Sequence, residues 1–99
     1  MADSNITVAE VDGIEVEVDL SYISSWPGML DVAAMQDETL SQSERGIASL
    51  SFYSHTCPSS RKVYAQLREM ADDDESPTET TSRMMGVLAR AVAKVSPKN

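Results

Sequence analysis

Two short stretches near the N-terminus alternate apolar and polar residues, as a β-strand with one buried face does. They are Ile6–Val11 and Ile14–Leu20, separated by Asp12-Gly13. Asp-Gly at this position favours a type I′ turn, because both central residues of that turn have positive φ. The pattern therefore predicts a β-hairpin over residues 6–20. Its second strand places three carboxylates on the solvent face: Glu15, Glu17 and Asp19.

Apolar residues recur at helical spacing through most of the remaining chain. Helix starts are marked by Ser25-Trp26-Pro27 and by two capping boxes, Ser41-Gln42-Ser43-Glu44 and Ser76-Pro77-Thr78-Glu79. The pattern predicts a short turn at Tyr22 and Ile23 and then four helices. The third helix, which has no such start signal, begins at about Pro58. The four helices end at about Met35, Ser54, Ala71 and Val95.

Each predicted helix has apolar positions that we expect to face a common core. In the first they are Trp26, Leu30 and Ala33, with Met29 beside them; in the second, Ile47, Leu50 and either Phe52 or Tyr53. In the third they are Val63, Leu67 and Met70; in the fourth, Met84, Leu88, Ala91, Val92 and Val95. A lone hairpin is only marginally stable, so we expect the helices to cover its apolar face. The sequence thus predicts an α+β fold with an N-terminal β-hairpin followed by three to four α-helices packed on one face.

A chain of 99 residues predicts a single domain. Within it we expect a flexible N-terminus at 1–5, the hairpin at 6–20, a helical part at 21–95 and a tail at 96–99. Residues 1–5 lack the features of a signal peptide, and no apolar run approaches the ~18 residues of a membrane span. With one unpaired cysteine, these features favour a reducing cytoplasm.

The net charge of −8 is unevenly distributed. Residues 1–44 hold ten Asp or Glu and no Lys or Arg, whereas residues 45–99 hold six acidic and eight basic residues. A negative chain is repelled by phosphates and by anionic lipids, so we expect no nucleic-acid or membrane partner. The acidic half is suited to solubility or to contact with a basic protein surface.

The sequence offers little chemistry for catalysis or for binding a metal. His55 and Cys57 precede the third predicted helix, where a thiolate can be nucleophilic. A nucleophile also needs an oriented base and an oxyanion site, and the chain has no second histidine. The acidic run at 72–75 lacks the ligand spacing of an EF-hand. We therefore expect no catalytic, cofactor-binding or metal-binding residues, and a small enzyme that uses Cys57 ranks last among the hypotheses.

Adaptable apolar side chains are the best indication of a protein partner. The chain has six methionines, and two adjacent ones on a helix cannot both face one core. We take as candidate partner-binding residues Tyr22, Trp26, Met29, Met84 and Met85.

The order of these features resembles that of the small tail assembly chaperones of long-tailed (siphovirus-type) bacteriophages and prophages. The resemblance rests on the strand Gly13-Ile14-Glu15-Val16-Glu17-Val18-Asp19, the helix start Ser24-Ser25-Trp26, an acidic link, short helices and a Lys-Asn tail. Many such proteins have a G-x-x-(Y/V)-E-V/I-D hairpin strand and then a helix that begins D-D-W-E. The present chain has Ser24-Ser25-Trp26-Pro27 at that helix start and departs from the pattern there.

The resemblance implies a non-catalytic role in tail morphogenesis. Such a protein coats the long, helical tape measure protein in the bacterial host cytoplasm, recruits tail tube subunits, and is absent from the mature virion. The resemblance also implies homo-oligomers. The composition supports an alternative, in which a small acidic protein inhibits or adapts a basic, nucleic-acid-binding partner protein.

Overall fold

The computed structural model describes residues 6–96. The predicted flexible N-terminus at 1–5, and the predicted tail beyond Ser96, lie outside the described residues. The elements are β1 (Ile6–Val11), β2 (Ile14–Asp19), α1 (Leu20–Ile23), α2 (Trp26–Gln36), α3 (Gln42–Thr56), α4 (Ser60–Met70) and α5 (Pro77–Val95). A hairpin followed by helices is the α+β fold that the sequence predicts. The predicted turn at Tyr22 and Ile23 is the short α1.

The two strands form the predicted antiparallel hairpin. Val11 pairs with Ile14 across the turn. Asp12 has a φ of 53° and Gly13 a φ of 81°, so both central residues have the positive φ of a type I′ turn. The Asp-Gly dipeptide therefore fixes the register, and the register decides which face of the sheet is buried.

The core lies between one face of the hairpin and the last two helices. The inward residues of the strands are buried: Ala9, Val11, Ile14, Val16 and Val18. They join buried residues from the helical part: Cys57, Val63, Leu67, Val87, Leu88 and Ala91. Because the helices cover the apolar side of a two-stranded sheet, the sheet gains the support it lacks on its own.

Helix caps follow the predicted pattern. At both capping boxes the Ser hydroxyl accepts a hydrogen bond from the backbone N–H of the Glu, and the Glu carboxylate accepts one from the Ser N–H: Ser41 with Glu44, and Ser76 with Glu79. Each such cap contributes about 1 kcal/mol to the stability of its helix. These local signals place the starts of α3 and α5 at the residues that the sequence indicates.

The predicted inner face of α3 is wrong for two residues. Ile47 and Leu50 are 66% and 52% exposed, and the buried side consists of Ala48, Phe52 and Thr56. The three buried residues recur at i, i+4 and i+8, so α3 turns the ring of Phe52 inward and leaves Tyr53 half-buried. Ile47 and Leu50 then lie on the solvent side.

The predicted inner face of α2 is also wrong. Trp26, Met29 and Leu30 are 70%, 48% and 54% exposed, and Ala33 is exposed as well. The buried residue of α2 is Gly28. Its close approach to the neighbouring turn, described below, sets the side of the helix that faces the protein.

On α4, the buried residues Val63 and Leu67 confirm the predicted inner face, but Met70 is 61% exposed. The inner stripe continues four residues on, to the half-buried Ala71. Met70 therefore lies off the stripe.

A hydrogen-bonded cluster joins the end of α4 to the start of α5. The buried Thr80 hydroxyl donates to Glu75 Oε2 at 2.6 Å and accepts from Arg68 Nη1 at 2.7 Å. Arg83 Nε lies 3.3 Å from the same carboxylate oxygen. The hydrogen bond from Thr80, aided by Arg83, lowers the pKa of Glu75 below its ordinary value of 4.5.

We expect this carboxylate to make the fold sensitive to acid. Because its pKa is lowered in the folded state, Glu75 contributes stability at pH values above 4.5, and that contribution disappears as the pH falls through the lowered pKa. Glu75→Gln should therefore lower the unfolding free energy at pH 7 and weaken its fall between pH 5 and pH 3. Urea unfolding across that range measures both effects. The same change at the exposed Glu69 is the control; an equal effect there would contradict this assignment.

Candidate protein-binding surface

Helix α2 carries an apolar stripe that faces solvent. Its members follow the i, i+3, i+4, i+7 spacing of one helix face, and all four are exposed: Trp26, Met29, Leu30 and Ala33. We call this set the α2 stripe. Single exposed apolar residues are common on proteins, but a row of them along one helix is typical of a binding surface.

The one charged residue of α2 points the other way. Asp31 is half-buried, and its Oδ2 accepts hydrogen bonds from the Tyr22 hydroxyl at 2.7 Å and from Ser51 Oγ at 3.0 Å. These two bonds hold the carboxylate against α1 and α3. Helix α2 thus reverses the usual arrangement of a surface helix, with its charge turned inward and an uncharged apolar side turned outward.

The corner between α1 and α2 fixes this orientation. The backbone carbonyl of Tyr22 accepts from both the N–H (3.1 Å) and the hydroxyl (2.6 Å) of Ser25. Ser25 Oγ in turn accepts from the N–H of Gly28 and caps α2. A Cβ at Gly28 would lie 1.9 Å from the Tyr22 carbonyl oxygen, so only glycine allows α2 to pack this closely.

A second exposed apolar pair lies on the neighbouring helix. Helices α2 and α3 pack against each other, and the hydrogen bond from Ser51 to Asp31 marks their contact. Ile47, one turn before Ser51, and Leu50 are both largely exposed. The helical hairpin of α2 and α3 therefore presents apolar side chains from both of its helices.

Tyr22 packs on the inner side of the α2–α3 hairpin. It is half-buried, and its ring stacks on that of His55 with 5.0 Å between centroids and lies 6.2 Å from that of Phe52. The hydrogen bond to Asp31 raises the pKa of Tyr22 above its ordinary value. The residue named as a candidate contact thus has its hydroxyl and its ring engaged within the fold.

The structure does not bring the two candidate methionines of α5 to the α2 stripe. Met84 and Met85 are half-buried, and Met84 packs against the core cluster. Met84 also borders a shallow hollow lined by Tyr64 and Arg61. The main contacts of α2 are with α3 and α1, so the candidates divide into one group around α2 and another on α5. The exposed Leu30, Ile47 and Leu50 are additional surface residues that the sequence pattern had placed in the core.

The outer face of the hairpin is acidic. Glu10 lies directly opposite Glu15 across the two strands, and the exposed Glu17 follows on the same side as Glu15. Like charges at opposite positions destabilise a strand pair, so the Glu10–Glu15 pair lowers the stability of the hairpin. Lys62 of α4 borders the shallow hollow beside Glu15 and Glu17.

Cys57 is fully buried beneath the strands. Burial raises the pKa of its thiol to about 12, so the thiol is protonated at neutral pH. Within residues 6–96, no group of three or more His, Cys, Asp or Glu side chains is arranged to hold a metal ion. None of the described helices has the length and apolar character needed to cross a membrane.

Comparison of this chain with protein-family models, with curated proteins and with solved structures found no match.

Proposed function

We propose that this protein is a non-catalytic tail assembly chaperone of a long-tailed phage or prophage. It binds the tape measure protein in the host cytoplasm, recruits tail tube subunits, and leaves before the virion is complete. The observation that supports the proposal most directly is the α2 stripe, an uncharged apolar row on a helix whose only carboxylate is turned inward.

An amphipathic helix is the partner that such a surface fits best. A long helical protein exposes apolar rows at i, i+3, i+4 and i+7, and rows of this kind pack against a matching row on another helix. Aromatic residues and methionine are enriched in the cores of protein interfaces, and the α2 stripe has one of each in Trp26 and Met29. Acidic residues elsewhere on the chain keep the complex in solution.

We expect truncation of the stripe to weaken partner binding without unfolding the protein. Trp26→Ala should raise the dissociation constant for the tape measure protein at least about thirtyfold, as loss of one interface hot spot does. Unfolding free energy should change little, because Trp26 is 70% exposed. Co-purification and titration calorimetry with the tape measure protein of the same phage or prophage measure the effect.

Met29→Ala and Met70→Ala are a matched pair for the same experiment. Both remove an exposed methionine side chain from a helix, but only Met29 belongs to the α2 stripe. We expect Met29→Ala to weaken binding and Met70→Ala to leave it unchanged. Equal losses in the pair, or a wild-type chain that fails to bind the tape measure protein at low salt, would contradict the proposal.

The acidic face of the hairpin supports a second candidate, an acidic protein that inhibits or adapts a basic, nucleic-acid-binding partner. Glu10, Glu15 and Glu17 lie together on that face. This candidate requires that binding to the basic partner protein weakens steeply as the salt concentration rises, and that charge reversal at Glu15 and Glu17 abolishes it. A complex that survives these reversals but not Trp26→Ala would favour the chaperone.

A further inference from the structure

We infer that the outer edge of strand β1 is a docking site for an extended segment of a partner protein, which becomes the third strand of the sheet. The docked strand carries β-branched apolar residues and a lysine or arginine beside Glu10. The inference goes beyond the proposed function, because this edge belongs to the β-hairpin and lies outside the α2 stripe.

The register of the hairpin determines which backbone groups of β1 face away from β2. Val11 and Ile14 flank the two-residue turn, so they form a hydrogen-bonded pair. Such pairs alternate with non-hydrogen-bonded pairs along antiparallel strands, and Val8 and Glu10 belong to the second kind. The N–H and C=O groups of Val8 and Glu10 therefore point outward from the edge of the sheet.

The fold covers the edge of β2 but leaves most of the edge of β1 open. On β2, the outward N–H of Glu17 donates to Ser59 Oγ at 3.1 Å, and the adjoining helix α4 packs against the strand. On β1, the outward C=O of Glu10 accepts from Lys94 Nζ at 2.6 Å. Within residues 6–96, no group outside the hairpin bonds to the backbone of Val8, which is 55% exposed. An open edge of this kind is where a further strand can pair.

A hollow beside β1 accepts the side chains that a docked strand turns toward the core. It has a volume of about 270 Å³ and is lined by Val11, Asp12, Arg90, Ala93 and Lys94. The hollow lies at the edge of β1, because Lys94 is the residue that bonds to the outward carbonyl of that strand. A valine or isoleucine side chain fits within this volume and extends the apolar face of the sheet.

On the solvent face, the carboxylates favour a basic residue in the docked strand. Glu10 lies directly opposite Glu15, and Glu17 is on the same face. A third strand places one residue beside Glu10, and a lysine or arginine there offsets the repulsion between Glu10 and Glu15. A second copy of β1 is disfavoured at this edge, because it brings a further carboxylate to the same face.

Lys94 limits pairing at this edge to strands that displace it. Its ammonium group occupies the outward carbonyl of Glu10, and exposed lysines at strand edges commonly protect against unspecific pairing. Lys94→Ala should therefore strengthen binding of a docked strand about fivefold, because the strand no longer competes with the ammonium group for this carbonyl.

The probe for this site is the acetylated and amidated peptide Ile-Lys-Val-Val-Thr-Lys. In antiparallel order it matches residues 11 to 6 of β1, so that its first lysine lies beside Glu10 and its second valine beside Val8. We expect the wild-type protein to bind it with a dissociation constant on the order of 100 µM. The amide signals of Val8 and Glu10 should shift most in nitrogen–proton correlation NMR spectra, which also give the affinity.

Two N-methylated forms of the peptide are a matched pair. A methyl group on the nitrogen of the second valine removes the N–H that donates to the carbonyl of Val8, so binding should weaken at least about tenfold. The same group on the first valine removes an N–H that points away from β1. That peptide should bind within about threefold of the unmodified one.

Val8→Pro tests the same contact from the side of the protein. Proline removes the outward N–H of this residue and no bond to β2, and edge strands tolerate proline at such positions. Binding should weaken at least about tenfold, whereas Val8→Thr, which keeps the N–H, should bind within about threefold of the wild type. Circular dichroism checks that Val8→Pro is folded; if it is not, the two methylated peptides decide, since they are measured with the wild-type protein.

Several results would overturn the inference. Absence of binding at about 1 mM peptide excludes the site. Equal losses for the two methylated peptides, or largest shifts outside β1, exclude strand pairing at this edge. Shifts of Val8 and Glu10 that appear when the protein is concentrated without peptide assign the edge to a second copy instead. The tape measure protein takes no part in these measurements, so their failure is distinct from a failure of the proposed function.

Discussion

Gly28→Ala should destabilise the protein by about 2–4 kcal/mol, the cost of forcing a methyl group into a packed contact. The added Cβ would lie 1.9 Å from the Tyr22 carbonyl oxygen and 2.9 Å from its carbonyl carbon. That carbonyl cannot move freely, because the N–H and the hydroxyl of Ser25 both donate to it. Either the cap of α2 breaks or α2 moves away from α1. Urea unfolding monitored by circular dichroism measures the loss.

Gly46→Ala and Gly86→Ala are the controls for this prediction. Both glycines lie inside helices, and a Cβ at either position meets no atom within 4 Å. Alanine should therefore stabilise each helix by about 0.5–1 kcal/mol, because it is the better helix former. A Gly28→Ala variant as stable as these two would mean that α2 is not held against the Tyr22 carbonyl.

The features that the sequence predicts correctly depend on contacts between residues close in the chain, or on helices whose apolar residues lie on one side. The Asp12-Gly13 turn needs only two residues with positive φ, and each capping box is a contact between residues three apart. Helix α4 has apolar residues mainly on one side, so its inner face follows from the spacing. The hairpin, the starts of α2, α3 and α5, and the core positions Val63 and Leu67 of α4 therefore required no knowledge of the tertiary structure.

Helices α2 and α3 were harder to orient because each has apolar residues on more than one side. In α2, spacing favours the face with Trp26 and Leu30, but the fold buries the face with Gly28 and Asp31. The close approach at Gly28 and the hydrogen bonds to Asp31 join residues in different elements, and a sequence pattern does not reveal them. The one carboxylate in this otherwise apolar helix, Asp31, is the signal that could have marked its inner face.

The candidate surface was predicted in part for the same reason. The sequence pattern places Trp26 and Met29 on the inner face of α2 and also names them as candidate partner contacts; the structure exposes both on one helix face, and contact with a partner stays a prediction. Leu30, Ile47 and Leu50 were assigned to the core, so the extent of the exposed apolar surface emerges only from the structure. On α5, the buried Val87 was missed although it lies one turn from both Met84 and Ala91.

Leu88→Ala should destabilise the protein by about 2–5 kcal/mol, whereas Leu30→Ala should cost less than about 0.5 kcal/mol. The two variants remove the same atoms. Leu88 is 1% exposed in the core cluster, so its truncation leaves a cavity that the packed strands and helices fill only partly. Leu30 is 54% exposed, so its truncation creates no buried cavity, and water occupies the space of the removed atoms.

When binding is measured instead of stability, Leu30→Ala should have the larger effect of the two substitutions. Leu30→Ala should weaken the complex with the tape measure protein, because the α2 stripe contains Leu30. Leu88→Ala should leave that affinity unchanged at temperatures where the variant is still folded. Urea unfolding and titration calorimetry on the two variants separate core from interface. A Leu30→Ala variant that unfolds as easily as Leu88→Ala would place α2 inside the core, and the binding surface proposed on it would not exist.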